Sequence, residues 1–264
     1  MTWALLLEDL DTLIQIAIQI FIIWKMIPVI RMNRQSMTAV FFSFAMVCYL
    51  ISNLYWITHI VMKEGVRIPF AANEISESGM FLLMAAVLKI VFHEHLANAK
   101  KEIIYAALFA AASTGLWIGW SGELIKDILS GFTFGYFLCV VTAALKTCGA
   151  FSEKEWRALA ISSAVLIAVQ TSIFFAPEML KKPLDAFCYV LMFVWIGYFF
   201  RRAIPSALGH EEADRSVVLS VAGFAWTIST MYMSASFMYV AADTCSTCMQ
   251  LLMYAAIRKK VRDA

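Results

Sequence analysis

Charge is scarce in this 264-residue chain. Asp, Glu, Lys and Arg make up 15% of it, where a soluble domain carries about 25%. With 62% of the residues apolar, too little polar surface remains to cover a water-soluble fold of this size. The net charge of +2 comes from short clusters between apolar runs and forms no basic stripe, which argues against a nucleic-acid partner. Histidine is limited to His59, His93, His95 and His210. Haem or di-iron bundles need more histidines, or pairs on facing helices, so neither cofactor is expected. No lysine lies mid-span in 184–258, which sets aside a retinal protein.

Motifs are equally sparse. The chain has no GxxxxGK[ST] phosphate loop, so ATP-driven work would require a partner. It has no GxSxG or HExxH, and an enzyme is not expected. Linkers and low-complexity tracts are missing too, and the longest loops fall near 62–75 and 202–215. These features predict a single integral membrane bundle over 1–264 with no soluble domain. The opening "MTWALLLEDLDT" has no basic leader and places Glu8, Asp9 and Asp11 where an apolar signal core would continue, so no cleavable signal peptide is expected.

What the chain has is apolar runs of roughly 17–25 residues, the length that crosses about 30 Å of hydrocarbon as a helix. They predict an all-α polytopic membrane protein with helices near 11–30, 36–61, 76–93, 102–121, 125–146, 157–176, 184–201, 216–237 and 241–258. Eight spans is the alternative, because residues 216–258 must supply two helices and a turn. With the N-terminus outside, Lys and Arg fall 14 on the cytoplasmic side against 5 outside, and Lys25 and Lys89 complete the 21. A single crossing by 216–258 would leave "RKKVR" outside and spoil this bias. The expectation is therefore nine spans, N-terminus outside and C-terminus cytoplasmic, in the cytoplasmic (plasma) membrane. Lys25 and Lys89 lie near helix ends and are expected to snorkel, and Pro28 is expected to end or kink the first helix.

Polar residues inside spans are costly in hydrocarbon, so they point to function or to specific packing. Glu8, Thr12, Gln15 and Gln19 share one face of the first helix and stop near mid-membrane. Ser52, Trp56, His59 and Lys63 share a face of the second, with Asn53 beside it. Glu74 and Glu77 open the third after Asn73, Gln170 and Thr171 lie in the sixth, and Asp185 opens the seventh. Together they suggest an outward-facing polar vestibule formed by helices 1, 2, 3, 6 and 7. In it, Gln15, Gln19, Asn53, Trp56 and His59 would contact a solute, and Glu77 and Asp185 would set charge preference. The plainer reading is that the acidic residues favour helix N-termini and the glutamines join helices.

Small residues predict close helix packing: Ala111, Gly115 and Gly119 against Gly131 and Gly135, and Ser220, Gly223, Thr227, Thr230 and Ser234 on the eighth helix. Trp117 and Trp120 read as an interfacial belt, or as an aromatic box with Glu123 or Asp127 as counter-charge. Ser52–Pro69 and Gln170–Pro183 share a faint similarity that would fit an internal duplication. "HEH" (93–95) and "GHEE" (209–212) offer divalent-ion donors on one side of the membrane, with His59 on the other. In "VAADTCSTCMQ" (240–250), Cys245 and Cys248 stand near Met231, Met233, Met238, Met249 and Met253. Ordinary packing, a Cu(I) site that includes Met238, and thiol exchange near a helix start are all open, with the motif expected at the outer turn of a final hairpin. No cofactor is required.

Two functions fit this pattern. One is a carrier or channel for a small solute or ion. The other is a ligand-sensing receptor or signalling subunit that addresses a protein partner through loops such as 147–157 and 202–215. Copper or thiol chemistry is a third reading.

Overall fold

The computed structural model describes residues 3–33, 36–62, 72–92, 99–121, 123–209, 212–233 and 237–263. Among them are nine helices and no strand: α1 (Trp3–Met32), α2 (Met37–Met62), α3 (Ala72–Val91), α4 (Lys100–Ser121), α5 (Leu124–Thr147), α6 (Glu153–Phe175), α7 (Glu178–Leu208), α8 (Ala213–Tyr232) and α9 (Phe237–Asp263). Each corresponds to one predicted apolar run. The largest boundary differences are at α1, which begins earlier and passes Pro28 to reach Met32, and at α7, which contains both Pro183 and Pro205. The first helix is thus not ended by its proline.

Seven of the nine are long and apolar enough to cross a membrane; α3 and α8 are not. The reason for α8 is its position. Every residue from Ser216 to Met231 is buried, and α8 packs against α3, α5, α7 and α9. A helix wrapped by protein on all sides needs no lipid-facing apolar surface. Its hydroxyls bond back to its own carbonyls: Ser220 to Ser216, Thr227 to Phe224, Ser229 to Ala225 and Thr230 to Trp226. The outer helices show the opposite pattern. Trp24, Leu108, Phe132, Val190 and Val194 are all exposed, a surface suited to hydrocarbon.

Helices consecutive in the chain run antiparallel, as pairs such as Ser52–Glu77, Lys146–Glu102, Arg202–Glu155 and Lys260–Asp214 require, so α1, α3, α5, α7 and α9 begin at one end of the bundle, here called the proximal end. At the opposite, distal end, Lys146 joins α5 to Glu102 of α4 (3.0 Å) and Glu153 of α6 (2.7 Å). Ser152 and Glu155 form a reciprocal capping box on α6. Glu155 also accepts from Arg202 of α7 at 3.0 Å, and Lys260 of α9 pairs with Asp214 of α8. Lys25 lies 4.7 Å from the Trp24 ring centre and Lys89 5.3 Å from that of Tyr136, so both ammonium groups rest on aromatic faces.

The small-residue seam differs from expectation. A Cβ at Gly131 would fall 2.1 Å from Thr114 Oγ1, and one at Gly135 would fall 3.0 Å from Ala110 Cβ. The α4 face that meets α5 is therefore 110/114. Gly115 faces open space and Gly119 faces Phe174 of α6. Gly131→Ala is expected to destabilise the protein by about 1–3 kcal/mol, because Thr114 is short, branched and bonded to Ala110 O. A double-mutant cycle with Thr114→Ala checks this: part of the loss should be recovered.

Candidate solute-binding cavity

On α1, residues at intervals of three and four place Thr12, Gln15 and Gln19 on the buried face. On α9 the same spacing places Asp243, Ser246, Thr247 and Gln250 on the face turned to α1, and all four are buried. Asn53 of α2 completes the cluster. Gln15 Nε2 donates to Asp243 Oδ1 at 2.8 Å and Thr247 Oγ1 at 2.9 Å, with Ser246 Oγ at 3.3 Å. Asn53 Nδ2 donates to Gln15 Oε1 at 2.5 Å and Gln19 Oε1 at 3.2 Å. Gln19 Nε2 reaches Gln250 Oε1 at 3.3 Å. Three helices are thus tied by a buried amide–carboxyl network.

Beside this network lies a cavity of about 290 Å³, bounded by α1, α2, α3, α8 and α9. Three carboxyl-bearing residues line it, Glu8, Glu77 and Asp243, and among the described residues no Lys, Arg or His does. Aromatic side chains form much of the remaining wall: Tyr49, Trp56, Phe81, Tyr232 and Tyr239. Glu77 is fixed from two sides, accepting from Ser52 Oγ of α2 at 2.9 Å and from Tyr232 OH of α8 at 3.0 Å. Below Gln19 the α1 face becomes Ile22 and Met26. With Met46, Met84 and Met253 these side chains have no exposure at all, so an apolar layer closes the distal side.

Of the residues singled out from sequence, Gln15, Asn53, Trp56 and Glu77 line the cavity, and Gln19 lies next to it within the hydrogen-bonded network. His59 stacks on Trp56, with ring centres 6.3 Å apart. Asp185 is not part of this cavity: it lies half-exposed on α7, and Gln170 is buried on α6 without reaching the lining. The predicted helices 6 and 7 are replaced by α8 and α9, because α8 fills the centre of the bundle and α9 packs directly on α1. Residues that the sequence reading missed are Tyr49, Tyr232, Tyr239 and the α9 stripe from Asp243 to Gln250. The stripe's 3-4-7 spacing was a readable signal.

Cys245 and Cys248 lie well inside α9, two to three turns after its start at Phe237, and not at the turn of the hairpin. Both are free thiols, Cys245 half-buried and Cys248 exposed. Side chains three apart on a helix have Cβ atoms about 5–6 Å apart, whereas a disulfide needs about 3.5–4.5 Å, so bridging them requires the helix to deform. Met231, Met233, Met249 and Met253 are buried in the core, against which Cys245 packs, while Met238 stays half-buried near the start of α9. Among the described residues no cluster of three or more His, Cys, Asp or Glu is placed to share a metal ion. His93, His95 and His210 lie outside those residues. Maleimide labelling in detergent is expected to modify Cys248 faster than Cys245.

The aromatic box, the alternative to an interfacial belt for Trp117 and Trp120, is not formed. Trp117 packs edge-on against Tyr232, with ring centres 5.0 Å apart, while Trp120 is exposed beside Phe174. Glu123 pairs with Lys126, and Asp127 accepts from Ser121. Glu74, buried at the start of α3, lies 3.9 Å from Lys126. No family model matches the chain, and neither a curated protein nor a solved structure was found to be similar to it.

Proposed function

We propose that this chain is a membrane carrier for a small organic cation, with its binding site in the α1–α2–α3–α8–α9 cavity. The observation that carries the reading is the lining: three carboxyl-bearing residues, several aromatic rings and, among the described residues, no basic side chain. Aromatic faces and carboxylates attract an ammonium group, whereas an anion there would find no basic partner among the described residues. About 290 Å³ lies near the lower end of ligand-site volumes, which suits a compact solute. In the nine-span arrangement favoured by the Lys and Arg distribution, the N-terminus is outside, the proximal end faces outward and the cavity is loaded from there. The apolar layer of Ile22, Met26, Met46, Met84 and Met253 is then the gate that must open inward.

Reconstituted liposomes test this. Radiolabelled choline should accumulate in protein-containing vesicles and be displaced by other small ammonium compounds. Uptake equal to that of empty vesicles would reject carriage.

The closed distal half favours a second reading, a receptor whose cavity binds the same cation and passes the change to a partner at the distal loops. Its signature is thermal stabilisation by choline without flux.

A further inference from the structure

A second, larger cleft of about 830 Å³ lies between α4 and α6, backed by α5, α7 and α8. It is separate from the acidic cavity and shares no lining residue with it. Its walls are mostly apolar, from Tyr105 and Phe109 on α4 to Ala164 and Ile167 on α6, with Trp226 behind. The cleft follows α4 from Lys101 to Ala112, a rise of about 17 Å at 1.5 Å per residue, and α6 from Glu153 to Ala168, about 22 Å. One leaflet of a bilayer has about 15 Å of hydrocarbon, and about 20–22 Å with its headgroup region. The cleft therefore has the depth of a single leaflet, measured from the distal end.

Its mouth is polar and specific. The N-termini of α4 and α6 both point there, each bearing the positive end of a helix dipole. Lys101 and Arg157 line the mouth, are exposed, and have no ion-pair partner among the described residues. Glu102 and Glu153 are also at the mouth, but Lys146 holds both, at 3.0 and 2.7 Å. With Lys146 included, the local side-chain charge is three positive against two negative. Trp156 also lines the cleft, and its buried indole Nε1 has no hydrogen-bond partner among the described residues. A buried donor left in this way is costly unless something accepts from it.

We propose that this cleft binds an anionic phospholipid from the distal-side leaflet, one acyl chain filling the apolar groove and the phosphate held at Lys101, Arg157 and Trp156 Nε1. Charge complementarity at the mouth and a depth of one leaflet select this occupant over a soluble solute or a protein helix. Basic recesses between membrane helices bind lipid headgroups by the same means. The site does not depend on the cation-carrier reading, and its test uses no flux or cation measurement.

The test uses the full chain in nanodiscs or in detergent with added lipid. Native mass spectrometry and thermal melting should show phosphatidylglycerol retained and stabilising, with at least tenfold preference over phosphatidylcholine. Lys101→Gln/Arg157→Gln, two exposed positions that should leave folding intact, is expected to reduce the preference to within twofold. Ala164→Phe, which fills the groove, should lower retention of both lipids. Equal retention of the two lipids by the unaltered protein would overturn the proposal. So would an undiminished preference in the double variant, or melting unaffected by any lipid but shifted by chain self-association.

Discussion

Glu77→Gln is expected to weaken binding of small ammonium compounds by roughly 30-fold, about 2 kcal/mol, while the protein folds normally. The substitution preserves shape. Ser52 Oγ and Tyr232 OH bond different oxygens of Glu77; in Gln one hydroxyl still donates to the amide oxygen and the other can accept from the amide NH2, so the cross-links from α3 to α2 and α8 can survive. Only the charge is lost. A unit charge about 5 Å from a bound cation contributes on the order of 3 kcal/mol at an effective dielectric near 20, and part of it is offset by screening. Glu77→Asp, which keeps the charge on a shorter arm, should fall between. Asp185→Asn provides the control: it lies outside the cavity and should leave affinity within twofold. Calorimetric titration with choline checks all three variants, and equal affinity in Glu77→Gln and the parent would remove Glu77 from the site.

The second large effect is on stability. Gln15→Leu should lower the free energy of unfolding by about 2–3 kcal/mol. A single interhelical hydrogen bond in a membrane protein averages about 0.6 kcal/mol, with a maximum near 1.7. Gln15 makes several such bonds at once, to Asp243, Thr247 and Asn53, and its removal leaves the buried Asp243 without its closest donor. Asp243 keeps the longer bond from Ser246 Oγ at 3.2 Å, and this weaker satisfaction adds to the lost bonds. Gln19→Leu should cost less, because both of its contacts are longer, at 3.2 and 3.3 Å. The double variant Gln15→Leu/Asp243→Leu should recover part of the loss, since the buried carboxyl is removed together with its closest donor, while Thr247 and Asn53 still lose their bonds to Gln15. Reversible unfolding in mixed detergent micelles measures each step. A Gln15→Leu protein as stable as the parent would mean that the network is not holding α1 to α9.

The helices were readable because hydrophobic run length is a local property, set by the thickness of hydrocarbon. The polar faces of α1 and α2 were readable for the same reason: Gln15, Gln19 and Asn53 follow helical spacing within one segment. Which helices face each other is not local. Asp185 and Gln170 have the composition of site residues but sit behind the central α8, which takes the place assigned to α6 and α7. The α9 contribution was hidden by chemistry of another kind. In "DTCSTCMQ" the cysteines suggest thiol or metal work, yet Asp243, Ser246, Thr247 and Gln250 form the face that meets α1. The tyrosines were missed because an aromatic residue in a span reads equally well as lipid-facing, interfacial or core. Tyr49, Tyr232 and Tyr239 become part of a site only once α2, α8 and α9 are brought round one cavity.

The central claim is that charge and aromatic faces, and not shape alone, select the solute. Choline and its neutral isostere 3,3-dimethyl-1-butanol separate these directly, because they differ chiefly in the charged nitrogen. Titrated calorimetrically into the purified protein, choline should bind saturably at one site per chain, and the alcohol at least tenfold more weakly. Equal binding of the two, or saturable binding of neither, would contradict the account.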